Sequence, residues 1–302
     1  MSNPLHAPFY ADGACWINAT IVENVSVARD TYRVRFACPA IAGRITPGQF
    51  IMLRLAGCDD PLLGRPLALY DTILSAKGEA VWLDVVYLVA GKFTRRLAGC
   101  TSDQSLEVWG PLGNGFPPQT GEHLIMVAGG IGQTPFLALA TEHLARKSYG
   151  RPSRSVLNPK RITLCYGARS KPYLAGVDDF RNLGVDVRLS TDDGTVGHHG
   201  FVTDLLRQLL DEEVGRTKSQ TTSDPKQKAA IVCCGPEPMM AAVAEIAHEY
   251  SMPCQVSLET PMACGIGICF TCVAKVRQPD GSWDYKRTCV EGPVFAAEQI
   301  AW

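Results

Sequence analysis

Four of the twelve cysteines in this 302-residue chain have a spacing that suggests chemistry: Cys264, Cys269, Cys272 and Cys289 read C-x4-C-x2-C-x16-C. Three thiolates in a short loop with a distant fourth match the plant-type pattern that wraps a [2Fe-2S] cluster. Thiolates are soft anions and suit iron or zinc better than a hard cation. Structural zinc sites usually show two short-spaced pairs, so the spacing favours the cluster over zinc and over inert packing. Gly265 and Gly267 allow a tight loop and let backbone N–H groups approach the sulfurs. Cys15, Cys38, Cys58, Cys100, Cys165, Cys233 and Cys254 lack ligand spacing and read as small buried hydrophobes.

Two glycine turns follow apolar runs. Leu124 to Ala128 leads into Gly129-Gly130-Ile131-Gly132-Gln133-Thr134-Pro135, a strand, turn and helix start that presents backbone N–H groups to a pyrophosphate. Pro135 stands where the dinucleotide fingerprint has its third glycine, so a plain tight turn is the competing reading. Cys234-Gly235-Pro236 also lies between a strand and a helix, on the carboxyl edge where such sheets bind ligands. Cys234 is there either a ligand neighbour or a structural thiol. Nearer the amino terminus, Arg65 with Pro66, Leu67 and Ala68, and the turn Gly91-Lys92-Phe93-Thr94, offer a cation, a helix start and a hydroxyl to a diphosphate. From these residues alone, a salt-bridged surface Arg65 is the simpler reading.

The elements that must position these groups fall into three blocks. From Cys15 to about Trp109, short β-branched and aromatic runs at 15–22, 32–37, 50–55 and 81–89 are separated by turns, which predicts an antiparallel barrel. From His123, apolar runs at 124–128, 162–166, 185–189 and 230–233 alternate with helical patterns at 135–147, 201–210 and 238–250, which predicts a parallel sheet. The last fifty residues show neither pattern and read as a small ligand-stabilised domain. The expected fold class is therefore multidomain α+β, divided at 12–118, 119–252 and 253–302. The polar stretches 146–160 and 215–228 read as surface loops.

Composition excludes several classes. Twenty-nine Lys plus Arg balance thirty Asp plus Glu, for a net charge of −1, so no electrostatic case exists for nucleic acid or an anionic membrane. The most apolar stretch, 124–140, is broken by glycines and proline, so no spanning helix is expected. Residues 1–10 show no secretory signal, which makes a reducing cytoplasm the expected location.

In this order the motifs resemble the ferredoxin-reductase-like flavoproteins, most closely the electron-transfer subunits of B-type dihydroorotate dehydrogenases. The carriers are Arg65-Pro66-Leu67-Ala68, Gly91-Lys92-Phe93-Thr94, Gly110-Pro111-Leu112-Gly113-Asn114-Gly115-Phe116, Gly129-Gly130-Ile131-Gly132, Cys234-Gly235-Pro236, the cysteine run from Met262, and Gly292-Pro293-Val294-Phe295. The resemblance implies a barrel domain for FAD, an α/β domain for NAD and a carboxy-terminal [2Fe-2S] domain. It implies that Arg65 and Thr94 with the Gly91 turn hold the FAD diphosphate, and that Val86, Tyr87 and Leu88 line the flavin or its ribityl chain. Ala68 replaces a common serine and Phe93 a common glycine of these motifs.

A nicotinamide exchanges electrons in pairs and an iron-sulfur cluster singly, whereas a flavin does both and belongs between them. The expected path runs from the FMN of a dihydroorotate-oxidising partner, through the cluster and FAD, to NAD+, in pyrimidine biosynthesis. No part of the chain reads as a (β/α)8 domain, so a catalytic partner and a heterotetramer are expected, and no side chain is needed as a general base. Alternatives are a subunit of a sulfide- or ferredoxin-linked NAD(P)H oxidoreductase or a soluble hydrogenase and, in another class, a zinc-binding interaction module. Arg169, Ser170 and Lys171 suit a 2′-phosphate while Asp192 and Asp193 oppose one, and the resemblance favours NAD.

Overall fold

The computed structural model describes residues 11–218 and 229–302. Seven strands make the first half: β1 (Cys15–Ala28), β2 (Thr31–Ala37), β3 (Phe50–Leu55), β4 (Arg65–Ala68), β5 (Asp71–Leu74), β6 (Ala80–Leu88) and β7 (Ser105–Leu112), with short helices α1 (Pro39–Ala42) and α2 (Lys92–Ala98). They form one antiparallel sheet in the order β4-β3-β7-β1-β2-β6-β5. The sheet curls so that β4 also meets β6: the Leu69 N–H bonds Gln49 on one side, and the Tyr70 N–H bonds Asp84 on the other. Alternation drives the curl. Along β7, Leu106, Val108 and Gly110 turn inward and their neighbours outward, giving the barrel one apolar lining.

The second half contains β8 (His123–Gly129), α3 (Phe136–His143), β9 (Arg161–Ala168), α4 (Val177–Leu183), β10 (Asp186–Thr191), β11 (His198–His199), α5 (Val202–Lys218), β12 (Ala229–Cys234), α6 (Glu237–Glu249), β13 (Cys254–Ser257), β14 (Val273–Arg277), β15 (Trp283–Arg287) and β16 (Val294–Ala296). The sheet order is β11-β10-β9-β8-β12-β13-β16, parallel except at β16. Every residue of β8 and β12 is buried, as expected for central strands covered on both faces.

The last fifty residues are more ordered than their sequence suggests. Strands β13 and β16 extend the nucleotide-type sheet, and the cysteine loop with the β14–β15 hairpin hangs between them. Residues 215–218, expected in a loop, continue α5; 219–228 lie outside the described residues. Residues 146–160 are irregular but tied down. Lys147 and Tyr149 both bond Asp71 of the barrel, and Arg154 bonds Glu142 and the Phe116 carbonyl. This segment staples the two halves together.

Candidate functional site

Cys264, Cys269 and Cys272 lie on the loop after β13, and Cys289 follows β15. Cys272 and Cys289 are buried, Cys264 half-buried and Cys269 exposed. Their thiols interact in two pairs. Cys289 does most to bring Cys272 down to about 6, and Cys272 in turn pushes Cys289 up. Burial opposes ionisation of Cys269, but hydrogen bonding from Thr271 and Cys264 brings it down to about 6. Four soft thiols on one loop and the turn after β15 are a donor set that fits a [2Fe-2S] cluster. The Ile266 N–H donates to Cys264 Sγ at 3.4 Å, the backbone contact expected of this loop. Gly265 has φ of +72°, and a Cβ there would lie 2.5 Å from Met52 Cγ. Only glycine lets the loop sit on the barrel.

Of the seven cysteines read as buried hydrophobes, Cys38, Cys165 and Cys233 are buried as expected, but Cys15, Cys58, Cys100 and Cys254 are half-buried. Arg44 donates to Cys15 Sγ and Arg96 to Cys58 Sγ.

The two glycine turns lie side by side because β8 and β12 are adjacent and in register, Ala128 opposite Cys234. Most of the glycines serve that packing. A Cβ on Gly132 would strike the Cys234 carbonyl, one on Gly129 would lie 2.5 Å from Met239 Sδ, and one on Gly235 would lie 2.9 Å from the Gly129 nitrogen. Gly130, with φ of +56°, has open space beside it, so it is the position of the four that leaves room for a ligand. Pro135 caps α3, and the 130–133 turn reaches β6 of the barrel. Gln133 is fully buried there, and neither amide atom has a partner among the described residues. Buried amides are rarely orphaned, and this one fits a polar group bound at the junction of the halves.

Cys234 is buried, and its thiol donates to Glu259 Oε1 at 3.7 Å. Burial, then the Glu259 charge, raise the Cys234 pKa well above the ordinary thiol value. Glu259 keeps solvent contact, yet desolvation raises its own pKa against the opposing Cys234 bond. Sequence reasoning missed Glu259, although it follows β13 on the ligand-binding edge, where a carboxylate is a signal.

In the barrel, Arg65 opens β4 and donates to the Leu63 and Gly64 carbonyls. Among the described residues it has no carboxylate partner, so the salt-bridged reading gives way and the cation fits an anion. An Asp60–Lys92 pair ties the loop before Arg65 to the first turn of α2. Three details of the expected flavin site change. The Thr94 hydroxyl accepts from the Ala90 and Gly91 N–H groups and so closes the turn. Phe93 is buried in the barrel core, which leaves the amides of 92–94, without intrahelical acceptors, as the groups able to meet a phosphate. Tyr87 points into the barrel and bonds Asn24 at 3.0 Å, whereas Val86 packs toward the α/β half. Strand alternation places Leu88 on the Val86 side, so the three do not share a face. Pro66, Leu67 and Ala68 continue β4 and pair with Met52, Ile51 and Phe50, and Pro236 caps α6.

Arg169 and Lys171 share one rim with Asp192 and Asp193: the Asp193 N–H bonds the Arg169 carbonyl, and the Lys171 N–H bonds Thr195 Oγ1.

Comparison with known proteins finds matches to three parts of the chain. Residues 18–116 match the oxidoreductase FAD-binding domain, 126–245 the oxidoreductase NAD-binding domain, and 259–301 the iron-sulfur cluster binding domain of dihydroorotate dehydrogenase B. The chain is 32% identical to the dihydroorotate dehydrogenase B (NAD(+)) electron transfer subunit of Caldanaerobacter subterraneus subsp. tengcongensis, covering 94% of this chain and 98% of that one. Its counterpart in Shouchella clausii is 33% identical over 93% of this chain and 96% of that one. Among solved structures, an NADH-dependent reduced ferredoxin-NADP oxidoreductase studied for flavin-based electron bifurcation superposes with a TM-score of 0.72 at 28% identity, covering 94% of this chain and 90% of that one. The ferredoxin reductase of carbazole 1,9a-dioxygenase, at 18% identity and a TM-score of 0.61 over 80% of this chain and 67% of that one, shares the fold.

Proposed function

Because the chain belongs to the electron-transfer subunits of dihydroorotate dehydrogenase B, we propose that it carries electrons from the FMN of a dihydroorotate-oxidising catalytic subunit to NAD+. What supports this reading is that one chain carries three such sites: the four thiols, the Arg65 turn and the paired glycine turns. When bound, FAD converts between the single electrons of a cluster and the hydride of a nicotinamide.

The chain's own residues place and insulate these groups. In this reading 12–118 hold FAD, 119–252 hold NAD, and 253–302 hold the cluster while lending β13 and β16 to the nucleotide sheet. Cys264, Cys269, Cys272 and Cys289 hold the irons. Arg65 and the amides of 92–94 hold the FAD diphosphate, Val86 and Ala68 flank the flavin, and Gly130 with the Cys234-Gly235-Pro236 turn receives NAD. Cys234 stays protonated and keeps Glu259 in place at that edge.

A catalytic partner would dock where the cluster is nearest the surface. Ile268 and Phe270 are exposed on either side of the exposed Cys269, and Arg287 braces this tip by stacking on Phe270 and donating to the Gly267 carbonyl at 2.8 Å. A heterotetramer with two catalytic subunits, working in the cytoplasm, fits this arrangement. No described helix is long and apolar enough to cross a membrane.

The test is the purified chain alone. Flavin and iron-sulfur absorbance that bleaches with NADH more readily than with NADPH, and no oxidation of dihydroorotate, supports the reading. A colourless, zinc-containing protein contradicts it.

A further inference from the structure

Trp109 touches both the flavin-side turn and the cluster loop. It faces Trp16 across the β1–β7 ladder, with ring centroids 4.9 Å apart and planes within 5°. Its far edge lies on Gly64, the residue before Arg65: a Cβ at 64 would sit 2.5 Å from Trp109 Cη2 and 3.2 Å from Cζ2. Its other end reaches the cluster loop, where Nε1–H donates to the Cys264 carbonyl at 2.9 Å. Met52, opposite Trp109 in the β3–β7 ladder, is the residue against which Gly265 packs.

The bond to the Cys264 carbonyl fixes the peptide plane between Cys264 and Gly265. That plane leads directly into Ile266, whose N–H bonds Cys264 Sγ at 3.4 Å. Hydrogen bonds to ligating sulfurs stabilise the more negative, reduced cluster and raise its potential. Trp109 therefore governs a sulfur contact that it does not itself make.

We propose that Trp109 is a positioning residue that couples the flavin-binding turn to the cluster loop, setting the cluster's potential and its electron exchange with the flavin. This rests on the cofactor reading given above.

Two variants of the full chain test it from opposite ends. Trp109→Phe keeps a ring against Trp16 and Gly64 but removes the N–H. Iron and FAD contents should stay at wild-type levels, while the EPR signal of the reduced cluster shifts and its midpoint falls in a redox titration. Gly64→Ala adds a methyl at the flavin turn that must move the Trp109 ring, so the cluster's EPR signal should change although residue 64 does not touch a cysteine. Wild-type EPR spectra and cluster midpoints in both variants, with cofactors retained, overturn the coupling alone. A wild-type chain lacking iron or flavin overturns the cofactor reading and the coupling with it.

Discussion

Tyr70 Oη donates to Asp179 Oδ2 at 2.5 Å, joining the barrel to α4 of the α/β half. Tyr70 is buried, and Gly176 gives its hydroxyl room, since a Cβ there would collide with the oxygen. Burial, then the Asp179 charge, push the phenol pKa up, so the hydroxyl stays a donor at all physiological pH values. Tyr70→Phe leaves Asp179 without this donor and should lower stability by about 1–2 kcal/mol. Denaturant unfolding measures the loss; an unchanged midpoint would show that the two halves do not depend on this contact.

Cys234 offers a chemical readout of Glu259. The thiolate is the reactive form, and a pKa held well above the ordinary value leaves little of it at pH 8. Removing the neighbouring charge with Glu259→Gln lowers that pKa, so alkylation of Cys234 at pH 8 should speed up, roughly tenfold for each unit recovered. Peptide mapping after iodoacetamide labelling gives the rate at this cysteine; equal rates in both proteins would separate the two side chains.

Arg65→Lys tests the diphosphate assignment. A lysine keeps the charge but loses the planar fork, and FAD should bind about tenfold more weakly, about 1.4 kcal/mol. Fluorescence of released flavin reports the affinity. Wild-type affinity would place the diphosphate elsewhere.

Ligand replacement probes the two thiol pairs. Cys272→Ser and Cys269→Ser each remove a ligand from a different pair, and either should take iron below the roughly two per chain of an intact cluster while leaving FAD bound. Full iron content in either variant would remove that cysteine from the ligand set.

Much of the architecture is legible because periodicity is local. The expected barrel runs and the strand–helix alternation from His123 onward fall on observed elements, although β1 continues to Ala28, α5 to Lys218, and β7 and α4 have no run of their own; the candidate cluster cysteines stand out by spacing. The remainder depends on distant partners. Tyr70 and Asp179 are 109 residues apart and Trp109 and Cys264 are 155 apart, distances at which a single sequence contains no pairing signal. Val86, Tyr87 and Leu88 are a different case: strand alternation already sends the Tyr87 side chain to the face opposite Val86 and Leu88. The glycine turns read as a phosphate cradle, and the structure shows Gly129, Gly132 and Gly235 chiefly letting two loops interlock. β13 and β16 are too short to carry a pattern of their own: β13 is a strand because β12 gives it an edge, and β16 because β13 does.

The most direct test of the central claim is a reconstituted electron path. The chain is co-expressed with a dihydroorotate dehydrogenase FMN subunit, purified as a complex, and mixed anaerobically with dihydroorotate and NAD+. The account predicts co-purification and one NADH formed per orotate, abolished by Cys272→Ser in this chain. A stable complex that oxidises dihydroorotate but makes no NADH, or one whose NADH formation survives loss of the cluster, would contradict it.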